Sequence, residues 1–255
     1  MIRIKGPHEQ AILKEGGRRH KEILDTVSAA VAPGVSTGDL EDLARALIKE
    51  GGDTAAFLGY TPDGARRSYP AALCISINDA IVHGIPNENP YVIQDGDVVS
   101  IDLGLVHDGL ITDSARTVIA GTGDEVARRL VEATEQALAA GVGAVSPGGR
   151  VGDIGAAILA SAKRSGFRIV EGLAGHGVGY AVHEDPFVPN TGKKGTGERL
   201  VPGLVIAIEP MLTPGNGRIV LDKDGYTYRT QDQSLSAHAE HTVLVTESEV
   251  IVLTA

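Results

Sequence analysis

One short pattern occurs twice in the chain: Pro33-Gly34-Val35-Ser36-Thr37-Gly38-Asp39-Leu40 returns as Pro147-Gly148-Gly149-Arg150-Val151-Gly152-Asp153-Ile154. An internal repeat limits the fold to arrangements that can be built from two related units. Before the first copy, Pro7 suits the first helical position, and Ile12, Leu13, His20, Ile23, Leu24, Val27 and Val31 keep helical spacing. After it, Leu40, Leu43 and Leu47 share a helical face up to Gly51-Gly52. The second copy sits between a segment marked by Val126, Leu130, Ala133 and Ala137 and another marked by Ile154, Ile158 and Leu159, which stops near Gly166. Strand-like runs follow each helical pair. Each half therefore reads helix, helix, sheet, with the halves at about 1–120 and 121–255 of a single domain. Two such halves facing each other surround one central site with a curved sheet, helices outside, in an α+β fold.

Length and charge narrow the functional classes. A chain of 255 residues supports a substantial core, and no Pro- or Ser-rich linker or long charge run divides it. The stretch from Thr191 to Glu198 reads as an exposed loop. A net charge of −10 argues against nucleic acid as a partner, because neutralising phosphates needs clustered Lys and Arg. The single cysteine, Cys74, excludes an internal disulfide and reads as a small buried apolar residue. With no apolar run long enough for a bilayer and no signal-peptide core, the expectation is a soluble cytoplasmic protein without a membrane partner.

Four acids stand where an unpaired charge is expensive. Asp102 interrupts the apolar run Val98-Val99-Ser100-Ile101-Asp102-Leu103-Gly104-Leu105-Val106, which reaches Asp108-Gly109 and resumes as Leu110-Ile111-Thr112-Asp113. Asp-Gly between apolar runs signals a two-residue hairpin turn, which sets Gly104 opposite Asp113 and brings Asp102 onto the same face. Ser100 and Gly104 leave space beside Asp102, while Ile101 and Leu103 point into a packed layer. Glu209 ends Leu204-Val205-Ile206-Ala207-Ile208, and Glu240 precedes His241-Thr242-Val243-Leu244-Val245. One acid in a strand fits an edge position or a salt bridge; four together with His176, in Gly175-His176-Gly177-Val178-Gly179, point to a pair of cations. The glycines around His176 are a poor match to a phosphate loop, since no helix opens after them. His83 and His183 also have distinctive contexts, whereas His8, His20 and His107 read as ordinary surface or core groups.

Asn78-Asp79-Ala80-Ile81-Val82-His83-Gly84-Ile85-Pro86, Ile101-Asp102 with Thr112-Asp113, Gly175-His176-Gly177-Val178-Gly179, His183-Glu184-Asp185-Pro186, Ile208-Glu209-Pro210-Met211 and Ala239-Glu240-His241-Thr242 occur in this order. Together they resemble the type I methionine aminopeptidases, and the resemblance covers nearly the whole chain. It implies the pita-bread fold in one catalytic domain. It also implies a site for two divalent ions (Co, Mn, Fe or Zn) held by Asp102, Asp113, His176, Glu209 and Glu240, with Asp113 and Glu240 shared between the ions. A hydroxide bridging the ions is the implied nucleophile, Glu209 its acid/base partner, and His83 and His183 the groups that position the amide or stabilise its tetrahedral intermediate.

By the same resemblance, Phe57, Tyr60 and Tyr226 line a methionine pocket. The implied substrate is the N-terminal methionine of nascent polypeptides with a small second residue, met by a monomer in proximity to the ribosome. The chain departs from the commonest bacterial pattern at Phe57 and Val82, where cysteine is frequent, at Tyr226 for tryptophan, at Val182 for an aromatic and at His238 for glutamine. Two alternatives share this pattern of residues. Proline-specific aminopeptidases and prolidases share the fold but usually carry an extra N-terminal domain. A non-catalytic binding protein on this fold would tend to lose ligands, and all five are present here.

Overall fold

A computed structural model describes residues 2–62 and 64–255. The first half runs α1 (Pro7–Ala29), α2 (Thr37–Glu50), β1 (Thr54–Ala55), β2 (Leu73–Ile77), β3 (Ala80–Val82), β4 (Val98–His107) and β5 (Leu110–Ile119). The second runs α3 (Glu125–Gly143), α4 (Val151–Ser165), β6 (Arg168–Ile169), β7 (Gly175–Gly177), β8 (Glu184–Val188), β9 (Val205–Ile208), β10 (Met211–Thr213), β11 (Ile219–Leu221), β12 (Tyr228–Thr230), β13 (Ala237–His238), β14 (His241–Val245) and β15 (Val250–Val252). Among the described residues all strand pairings are antiparallel, and no helix is long and apolar enough to cross a membrane.

The repeated segments turn one helix into the next by the same local chemistry. Gly34 and Gly148 both take positive φ, at 92° and 83°, which costs glycine no Cβ clash. Their amides donate to the carbonyls of Ile93 and Leu200. Asp39 and Asp153 then accept the N–H of Ser36 and Arg150, satisfying donors at the starts of α2 and α4. α4 ends on Gly166 in the left-handed conformation, as expected.

Each helical pair covers its own sheet. Ile23, Leu24 and Val27 of α1 and Leu40, Ala44 and Ile48 of α2 pack with Leu73 and Ile75 of β2 and with Val99, Ile101, Leu103 and Leu105 of β4. In the second half, Leu130, Ala133 and Ala137 of α3 and Ile154 and Ile158 of α4 pack with Ile206 and Ile208 of β9 and Val243 and Val245 of β14. Val126 departs from its expected role: it lies in the first turn of α3 and is exposed, and Ala127 takes the buried place.

Helix α1 approaches the second half so closely that a Cβ on Gly17 would stand 2.1 Å from the carbonyl oxygen of Leu253. Backbone cannot yield as a flexible side chain does, so Gly17→Ala should destabilise the protein by about 1–3 kcal/mol. A urea denaturation midpoint unchanged from wild type would contradict that packing.

Candidate metal centre

The β4–β5 hairpin sets the first two acids. Asp108 and Gly109 both have positive φ, 45° and 80°, the requirement of a type I′ turn. The register closes with His107 opposite Leu110 and Gly104 opposite Asp113, so Asp102 and Asp113 project to one face, as expected from the alternation.

A seam between the halves brings in the others. Thr242 Oγ1 accepts the Asp113 N–H at 2.8 Å and donates to the Asp113 carbonyl at 2.6 Å. The Glu240 N–H donates to the carbonyl of Ala115 at 2.9 Å, and Ser114 Oγ donates to the Glu240 carbonyl at 2.7 Å. These four bonds fix Asp113 beside Glu240. Glu209 follows β9, its carbonyl held by Asn190 Nδ2 at 3.0 Å. The β7 residue His176 reaches Glu209 Oε1 with Nε2 at 3.3 Å. Its Nδ1 lies 3.0 Å from the Gly177 carbonyl, which fixes the proton on that nitrogen and leaves the Nε2 lone pair for an electrophile.

Asp102, Asp113, His176, Glu209 and Glu240 all line one cavity of about 110 Å³, room for several water-sized groups. Ligand atoms of Asp113, His176 and Glu240 lie within 4.8 Å of one another. Asp102 Oδ1, Asp113 Oδ1 and Glu240 Oε1 are buried without a hydrogen-bond partner. An unpartnered buried carboxylate oxygen is costly, and a divalent cation satisfies several at once. The donor set of hard oxygens and one imidazole fits Mn, Fe, Co or Zn. Two wider grooves, of about 630 and 650 Å³, contain none of the five residues.

The electrostatics match this reading. Burial pushes the Asp102 carboxyl up to about 7. Burial first, then neighbouring carboxylates, raise Asp113, Glu240 and Glu209 well above the ordinary range. Burial lowers His176 to about 3, so it is neutral and free to ligate at neutral pH. The cluster thus favours protons or cations over free negative charge.

His83 and His183 also line this cavity. His83 follows β3 with φ 60°, and its ring sits edge-on to Tyr228 with centroids 5.8 Å apart; burial lowers it to about 4. His183 lies at the mouth, 2.9 Å from the Tyr60 hydroxyl through Nδ1, with its ring 4.4 Å from that of His176. Phe57, Tyr60 and Tyr226 line the apolar side, joined by Pro62, Tyr69, Cys74 and Val182. Cys74 is buried as expected yet also faces the cavity, because it pairs directly with Asp102 across β2 and β4. Val82 packs instead with Ile81, Val170 and Met211. His238, beneath the acids, has Nε2 3.7 Å from Glu209 and 3.8 Å from Glu240, and neither ring nitrogen has a hydrogen-bond partner. His20 and His107 are structural: the first lies buried against Thr112, the second beside Asp53.

A family model described as metallopeptidase family M24 matches residues 11–247. The chain belongs to metallopeptidase family M24. This M24 chain is 51% identical to a methionine aminopeptidase of Aquifex aeolicus, over 99% of its own length and 98% of that protein. Its fold is similar to that of the methionine aminopeptidase of Thermotoga maritima, with a TM-score of 0.94 and 39% identity, covering 100% of this chain and 99% of the other. A prolidase from Pyrococcus furiosus shares the fold at TM-score 0.76 and 23% identity, over 99% of this chain and 65% of that one. The M24 chain thus has the pita-bread fold, and its family membership implies divalent metal ions.

Proposed function

We propose that this M24 metallopeptidase is an aminopeptidase that removes the N-terminal methionine of nascent proteins and peptides, preferring a small second residue. In this reading Asp102, Asp113, His176, Glu209 and Glu240 would hold two divalent ions. The observation that carries it is the set of unpartnered carboxylate oxygens in a cavity also lined by aromatic and apolar side chains. The near-complete alignment with methionine aminopeptidases supports the substrate.

When bound, the ions supply Lewis acidity that lowers the pKa of water and favours developing negative charge. Glu209 acts as acid/base, taking the proton of the attacking water and carrying it to the departing amine. His83 and His183 donate hydrogen bonds where the amide oxygen gains charge. The Tyr60 hydroxyl, bonded to His183 Nδ1, fixes that ring's orientation. Phe57, Tyr60 and Tyr226, with Tyr69 and Val182, enclose the substrate side chain and exclude water. A monomeric cytoplasmic enzyme acting near the ribosome is consistent with this substrate.

Release of free amino acid from Met-Ala-Ser, Leu-Ala-Ser and Ala-Pro-Ala by metal-stripped protein, before and after adding Mn or Co, tests the assignment. Metal-dependent release from the methionine peptide alone is expected. Release from Ala-Pro-Ala would move the protein to the prolidase branch, and no release with no ion bound would make it a binding protein.

Gly104 offers a test of the pocket wall. A Cβ there would meet Phe57 Cε1 at 2.6 Å, driving the ring toward the cavity. Gly104→Ala should therefore raise KM for the methionine peptide about 10-fold or more, the scale of lost side-chain fit in an apolar pocket. A wild-type KM would remove Phe57 from the wall.

A further inference from the structure

We propose that Lys5 is a positioning residue that sets His183 through Glu184; the inference rests on the role given to His183 above. Lys5 is 1% exposed, and its Nζ donates to Glu184 Oε2 at 2.7 Å and to the Arg3 carbonyl at 3.2 Å. Its own amide donates to the carbonyl of Gly203. The other oxygen of Glu184 accepts the Ala181 N–H at 2.9 Å and the Tyr180 N–H. One buried carboxylate therefore ties Lys5 to the backbone of the turn that ends at His183.

The glycine preceding that turn is shaped for the lysine. Gly179 has φ 137°, and a Cβ there would stand 2.5 Å from Lys5 Cε, so the lysine stem crosses where the side chain is missing. Tyr180 is held from the same side: the Arg3 guanidinium lies 3.8 Å above its ring, and its hydroxyl donates to Glu9. Residues 179–183 form neither helix nor strand, so no regular ladder fixes them. An ion pair taken out of water persists only with good geometry and further hydrogen bonds, both of which Lys5 and Glu184 have. The pair fixes the backbone on which His183 stands, while Tyr60 fixes the ring.

The test uses the full chain. Lys5→Met removes the charge and keeps much of the stem. It should lower kcat on Met-Ala-Ser by about 10- to 100-fold with KM and bound metal near wild type, the cost of a misplaced group. In a His183→Ala background the same change should cost less than about 3-fold, since two residues acting through one group are not additive. On metal-free protein, amide exchange at Tyr180 and Ala181 should be about 10-fold faster in Lys5→Met, as expected for local opening. If Lys5→Met does not fold, the Lys5→Met/Glu184→Gln pair, which leaves no lone buried charge, replaces it with the same expected kcat loss. Wild-type kcat, losses that multiply with His183→Ala, or unchanged exchange would each overturn the proposal. A wild-type protein inert on the methionine peptide would instead defeat the substrate reading, and the exchange measurement would still decide whether Lys5 holds the turn.

Discussion

Glu209→Gln lowers kcat on a methionine peptide by about 10²- to 10⁴-fold, the range expected when a general acid/base is lost. The amide keeps the shape and one ligating oxygen but cannot accept a proton from water at neutral pH. Asp113, His176 and Glu240, whose ligand atoms converge within 4.8 Å without Glu209, should keep the variant able to bind metal. KM should stay within a few-fold of wild type, because the apolar wall is untouched; a loss confined to kcat marks an interaction made in the transition state. Steady-state kinetics with metal content measured on the same sample decides the matter. Retained turnover at full metal content would remove Glu209 from proton transfer.

Removing the divalent cations should abolish turnover and cost more stability at high pH than at low pH. In the metal-free protein the Asp102 carboxyl is raised by burial from 3.8 to about 7. The folded state then holds a proton that the unfolded state releases, so stability falls as pH rises across that window. Asp113, Glu209 and Glu240 act in the same direction, whereas the buried His20, His83, His176, His238 and His241, lowered below the ordinary imidazole value, act in the opposite one. With cations bound the carboxylates are stabilised ionised, and stability is instead lost as pH falls. Cations at 100 times their Kd should add about 2.7 kcal/mol per site, raising Tm by roughly 5–10 °C for a chain of this size. Urea midpoints at pH 5 and pH 8, with and without Mn, check the sign; a gain in stability from Mn that is no larger at pH 8 than at pH 5 would refute it.

The hairpin was legible because its instructions are local. Asp108-Gly109 dictates the turn, the turn dictates the register, and strand alternation then puts Asp102 and Asp113 together. The helix pairs were legible for the same reason, through apolar spacing and the repeated turn, although Val126 shows that spacing alone can slip by one residue at a helix end. The meeting of Asp113 with Glu240 was not derivable locally. It depends on Thr242 and Ser114 bonding across the seam, and nothing in either strand's pattern announces its partner. Cys74 could have been placed on the cavity once β2 was paired with β4, since it then stands opposite Asp102. Tyr69 had no such signal: it precedes β2, and its hydroxyl bonds the Leu73 and Gly84 carbonyls, contacts set by a loop path. His238 stood out only as an unusual residue two places before Glu240, and only the structure puts its imidazole beneath two carboxylates.

The seam also dictates an order of events during folding. The bonds that fix Asp113 beside Glu240 join residues 125 to 129 positions apart. Closing a loop of that length costs entropy before any contact rewards it, so such contacts form late. The β4–β5 hairpin, with Asp102 and Asp113 in place, can form early, when it can offer a cation only two carboxylates. The full ligand set exists only once β14 has docked, which makes tight metal capture a report that both halves have reached their native pairing.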